Sequence, residues 1–236
     1  MKKFLILTAV FSLFGCAEMQ QVMNQFPQTG ELGMVDISGG LKEALNNGIS
    51  KQVTKLTATD GFYRNEAVKI LLPEELRKVD AGLRSVGLSS LADEGLKVLN
   101  RAAEDAVKEA TPIFVDAVRN MSFADAKGIL MGNESSATSY LQNSTSTALY
   151  GKFNPVIKNS FTKVGADKVW TNIITKYNSI PLVNKVNPNL TDYITNQALN
   201  GVFKMVAVEE KNIRTDLSAR TSVLLQRVFA LQDKKI

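Results

Sequence analysis

The chain has 236 residues, a formal charge of +5, 44% apolar residues, one cysteine and no histidine. A chain of this size removes about 70% of its unfolded surface from water, and the apolar fraction excludes a mainly disordered or collagen-like protein. The absent histidine excludes Ser-His-Asp and Cys-His nucleophiles and every imidazole metal site.

At the amino terminus, Met1, Lys2 and Lys3 form a short positive region. Phe4 to Phe14 follows as an apolar run interrupted only by Thr8 and Ser12. A bilayer span needs about 20 apolar residues, so the run is too short to cross. It fits the apolar region of a secretory signal peptide. The run ends at Leu13-Phe14-Gly15-Cys16, which resembles the lipobox of bacterial lipoproteins; Cys16 is then the acylated first residue of the mature chain. Phe14 is larger than the residue usual at that place. The other reading is an unused thiol behind an uncleaved apolar tail. One acyl chain holds a protein at a membrane only marginally, whereas several hold it stably. Ala17 stands where an aspartate would retain a lipoprotein at the inner membrane, so the expected address is the periplasmic side of the outer membrane.

Cleavage before Cys16 removes Lys2 and Lys3 and lowers the formal charge from +5 to +3. The remaining charges alternate in sign, so nucleic acid is not an expected partner. A single cysteine allows no internal disulfide.

Residues 16–36 are rich in Gln, Met, Asn and Gly and read as a membrane tether. From Leu41 the spacing is helical: Leu41, Leu45, Ile49, Val53 and Leu56 share one face until Asp60-Gly61. Ala67–Leu72 allows one short extended segment. Pro73 opens a helix with Leu76, Val79, Leu83 and Val86 inward, stopped by Gly87. Ser90 with Asp93 and Ser122 with Asp125 have capping-box spacing, and Thr111-Pro112 marks a restart or kink between them. Further helices are expected over about 135–150, 155–164, 167–177, 190–213 and 219–231, the last capped by Ser218. No period-2 strand series appears. The reading is an all-α bundle of about seven to nine helices, with a signal peptide over residues 1–15, the tether over 16–36 and a single domain over 37–236.

Chemistry is sparse. Ser160 and Lys163 match Ser-x-x-Lys, the nucleophile pair of penicillin-recognising enzymes, but the companion signatures are missing. Glu210 and Arg214 stand four apart, a spacing worth about 0.2–0.5 kcal/mol on an exposed helix; Glu104 and Lys108 share it. No metal or cofactor motif is present. Tyr140, Tyr150, Phe153, Phe161, Trp170, Tyr177, Tyr193 and Phe203 fall close together and read first as core. Their second reading is an apolar pocket oriented by tyrosine hydroxyls, with asparagine-rich turns at its mouth. Tyr140, Tyr177 and Tyr193 are its candidate ligand contacts, and Arg214 and Arg220 are candidate anion contacts.

The blocks GLKEALNNGI, DGFYRNEAVKILLP, LNRAAEDA, FADAKGIL, SATSYLQ, LTDYITNQALNGVF and EEKNIR, over about residues 36–231, resemble a family of bacterial envelope lipoproteins. It is the domain of unknown function numbered forty-one ninety-seven. The resemblance implies a helical, secreted, lipid-anchored protein of Gram-negative bacteria and supplies no catalytic residues. Leu71 stands where family members usually have a second proline. The leading expectation is a non-catalytic binding or scaffolding module for an envelope protein or an apolar, lipid-like ligand. The alternative is an envelope hydrolase or transferase using Ser160 and Lys163 or a carboxylate.

Overall fold

The computed structural model describes residues 32–233, apart from Val86, Leu88, Ala166, Asp167, Val169, Trp170, Ile173, Ile174, Lys176, Tyr177, Ile180, Val183, Asn184, Val186 and Pro188. The described residues form helices and turns without a strand, so the fold is all-α. In chain order these are α1 (Met34–Thr57), α2 (Glu74–Ser85), α3 (Ser89–Val107), α4 (Ala110–Arg119), α5 (Phe123–Leu130), α6 (Ser136–Val164), α7 (Leu190–Thr215), a 3-10 turn (Leu217–Ala219) and α8 (Val223–Asp233).

The apolar stripe of α1 is buried as its spacing predicts, from Leu41 to Leu56. The helix begins earlier than the stripe, however, and runs through Gly39 and Gly40. A Cβ on Gly40 would stand 2.6 Å from Val228 Cγ2, so the missing side chain is what lets α8 approach. After Thr57 the chain reverses at Asp60, which has a positive φ of 64°. A Cβ on Gly61 would lie 2.4 Å from the carbonyl oxygen of Lys55, so only glycine fits under the end of α1.

Two side chains of α3 hold the loop that follows. Glu104 is buried and accepts from the backbone N–H of Phe62 at 3.1 Å. The expected Glu104–Lys108 pair does not form: Lys108 bonds Asp105 at 2.7 Å, because the carboxylate of Glu104 faces the interior. The segment over residues 67–72 joins no strand. Instead Asn100 donates to the carbonyl of Ile70 at 2.9 Å and accepts from its N–H at 2.8 Å. A side-chain amide offers the same donor and acceptor as a strand neighbour, so Ile70 is buried with its backbone satisfied.

Pro112 is the third residue of α4, where its missing N–H has no intrahelical partner to lose. Ser122 and Asp125 form the expected reciprocal cap on α5, and those bonds hold the Asp125 carboxyl below its usual range. Residues 135–164 differ from the expectation of two helices. A single helix, α6, runs through Pro155. An interior proline costs about 3 kcal/mol. Phe153, Ile157 and Phe161 flank it fully buried, and each such side chain contributes about 1.5–3 kcal/mol, which outweighs that cost.

Apart from Thr138, the buried residues of α6 recur at every fourth position, from Ala137 through Leu141, Thr145, Leu149, Phe153 and Ile157 to Phe161. At 3.6 residues per turn such a stripe rotates about 240° from end to end. Helix α6 is correspondingly surrounded, packing against α3, α4, α5 and α7. Helix α7, capped by Asn189, lies between α6 and α1 and sets Phe203 edge-on to Phe114, with ring centres 6.0 Å apart. The expected cap of the last helix is displaced. Ser218 is held by Asp216 in the 3-10 turn, and Ser222 accepts from Leu225 N–H at the start of α8.

Candidate functional site

The carboxyl end of α7 carries the densest buried charge. The spacing of Glu210 and Arg214 predicts a pair of small worth if exposed, yet each keeps only 6% of its surface. The Glu210 carboxylate accepts from the N–H groups of Ala137 and Thr138 and from the Thr138 hydroxyl, each at 2.8 Å. Ser135 at the N-cap position of α6 makes no side-chain cap. Glu210 therefore caps α6 from 73 residues away, its charge set against the positive end of the helix.

Arg214 faces the opposite way. It donates to Glu210 at 2.8 Å, to the carbonyls of Ile129 and Leu130 at the end of α5, and to Gln232 at 2.8 Å. Arg220 serves α7 similarly, donating to the carbonyls of Ile213 and Arg214 and to both oxygens of Asp233. That hydrogen-bonded pairing holds the Asp233 carboxyl below its ordinary value, and the guanidinium also lies 5.5 Å from the Phe229 ring centre. The structure thus brings Arg214 and Arg220 together, with their donors directed at helix ends.

Beside this pair lies a cavity of about 60 Å³ between α1, α7 and α8. At 10–15 Å³ each, that is room for roughly four to six waters, about the size of one large aliphatic side chain. Leu41 and Leu45, Val206 and Ile213, and Leu225 and Phe229 form its apolar walls, while Asn47, Glu209, Glu210, Arg214 and Thr221 form its polar part, with Glu209 paired to Lys51 and bonded by Gln52. The ion pair is satisfied by protein groups, so an entering molecule meets chiefly hydrocarbon.

Neither Tyr140 nor Tyr193 lines this cavity. Tyr193 lies 21 residues before Arg214, about 31 Å away along α7, and donates to the carbonyl of Leu71. Tyr140 is half-buried on α6, where burial, with the nearby charge of Asp125 second, raises its phenol above the usual value. Tyr177 and Cys16 lie outside the described residues, as does Trp170. Phe153 and Phe161 are core.

The amino end of α7 holds a different polar group. Asp192 accepts from the Tyr150 hydroxyl at 2.6 Å and from Asn187, and that hydrogen bond raises the phenol of Tyr150 above its usual value. Ser160, in turn, donates to the carbonyl of Val156 and lines an open groove with Glu94, Lys97 and Arg101; Lys163 is exposed one turn on. Among the described residues no cluster of three His, Cys, Asp or Glu side chains could hold a metal.

The sequence pattern of a family described as Protein of unknown function (DUF4197) matches residues 31–230. The chain belongs to that family. No curated protein and no solved structure matches the chain. All the cavity residues and the Glu210–Arg214 pair lie within the family span, and Asp233 lies just beyond it.

Proposed function

We propose that this protein is a non-catalytic binding module, anchored through acylated Cys16 to the periplasmic face of the outer membrane. Its partner is an envelope protein or a lipid-like ligand that inserts an apolar group beside Glu210 and Arg214. The observation that supports this reading is the apolar-walled cavity, whose charged groups are neutralised within the domain. Its volume suits one aliphatic side chain or the end of an acyl chain. Among the described residues no helix is long and apolar enough to cross a membrane, so the reading relies on the lipid anchor for attachment. In-cell photocrosslinking from Val206 and Leu225 should capture a discrete envelope component. Adducts no different from those at an exposed control position such as Lys158 would sink the reading. Cys16→Ser should abolish acyl labelling and release the chain from membranes; unchanged membrane association would remove the anchor.

A second reading, an envelope hydrolase, is favoured by one observation: Ser160 lines an open groove beside charged side chains. It expects covalent labelling of Ser160 by a fluorophosphonate or a β-lactam. A folded chain that resists both, and behaves unchanged as Ser160→Ala, would exclude the serine version.

A further inference from the structure

Helix α8 is attached less broadly than the central helices. It packs chiefly on α1, whereas α6 and α7 are each held by several helices. Its buried residues are Leu225, Val228 and Phe229, and two of these, Leu225 and Phe229, form one wall of the cavity. Its far end is fixed by charge, with Arg220 donating to the two oxygens of Asp233 at 2.5 and 3.0 Å while Gln232 accepts from Arg214. The Arg220 side chain is 2% exposed, but that of Asp233 is 41% exposed, so the carboxylate reaches the buried guanidinium from the solvent side.

An apolar row ending in a carboxylate on an arginine is also the chemistry of a fatty acid in a binding site. From Leu225 to Asp233 the helix rises about 12 Å, the scale of an acyl chain of medium length. We propose that α8 is an internal occupant of an acyl-carboxylate site. When α8 lifts, a fatty acid lays its chain along Leu41, Leu45 and Ile213 and places its carboxylate on Arg220 where Asp233 had been. The exchange replaces hydrocarbon with hydrocarbon and carboxylate with carboxylate, so the protein itself exhibits the recognition it offers. This rests on the binding-module reading and names its ligand.

The close approach at Gly40 supplies the test. The Cβ of a residue at position 40 would stand 3.1 Å from Val228 Cβ, near the roughly 3.5–4.5 Å of a disulfide. The full chain carrying Gly40→Cys and Val228→Cys is photolabelled in its own membrane with a diazirine-bearing decanoate, and the labelled peptides are mapped. In the reduced form, label is expected on the peptides carrying Leu41, Leu45 and Ile213, and oxidation should lower it about tenfold, the equivalent of 1.4 kcal/mol. The methyl ester of the same probe should label these peptides about tenfold less than the acid. Asp233→Asn should raise labelling about twofold to fivefold by weakening a partly exposed pair.

Should the double cysteine variant misfold, Gly40→Ala provides the second reading. Its Cβ would press α8 away and increase labelling, whereas Gly39→Ala, with nothing within 4 Å, should match the parent. Equal labelling of oxidised and reduced chains, or of acid and ester, overturns the proposal. A captured envelope protein together with no acyl label would leave the binding module standing and remove this ligand; loss of both would remove both.

Discussion

The two ends of α7 use similar residues in different surroundings. At the amino end, Asp192 accepts from Tyr150, Asn187 and Asn196 in a half-exposed group where water can replace a lost partner. At the carboxyl end, Glu210 and Arg214 are almost fully enclosed and join α5, α6, α7 and α8. Burial decides how much one partner matters. A charge left alone in the interior keeps its desolvation penalty, whereas one left alone at the surface recovers its hydration.

The largest expected effect is therefore at the carboxyl end. Glu210→Ala should destabilise the domain by about 3–5 kcal/mol, because it strands Arg214 and uncaps α6. A denaturant midpoint unchanged by this variant would break the comparison. Thr138→Val removes one of the three donors that α6 directs at Glu210 and should cost about 1–2 kcal/mol in the same measurement. Tyr150→Phe, at the amino end, should cost about 1 kcal/mol. Asn196→Ala should change stability by no more than about 0.5 kcal/mol. A value above that of Thr138→Val would reverse the ranking of the two ends.

The ends also differ in the pH at which each weakens. The phenol of Tyr150 is raised from 10.0, so its contribution is present below pH 10 and is lost as pH rises through the raised value. The carboxyl of Asp233 is lowered from 3.8, so its contribution is present above that pH and is lost as pH falls through the lowered value. Thermal melts of Tyr150→Phe and Asp233→Asn should accordingly converge with the parent at alkaline and acid extremes respectively.

Local chemistry was read most securely. The stripe of α1, the reversal at Asp60-Gly61 and the Ser122–Asp125 cap each depend on residues within a few positions of one another. Non-local contacts were not legible. The spacing of Glu210 and Arg214 announced a pair but not its burial, since that is imposed by the ends of α5 and α6. Pro155 read as a helix start because its cost is local, while the packing that outweighs it comes from neighbours distant in sequence. No local pattern marked Gly40, whose value lies in admitting Val228. The expected pocket of tyrosines followed from their crowding in sequence, but 26 residues of continuous α7 place Tyr193 far from Arg214. The cavity walls are ordinary apolar residues, which carry no signal until three helices bring them together.

The long-range cap on α6 has a consequence for amide exchange. The first amides of a helix have no intrahelical acceptor and ordinarily exchange rapidly with solvent deuterium. Those of Ala137 and Thr138 are bonded to a buried carboxylate 73 and 72 positions along the chain. Their protection should persist until α7 itself separates from α6. These two hydrogens are thus a native gauge of whether the central helix pair is closed.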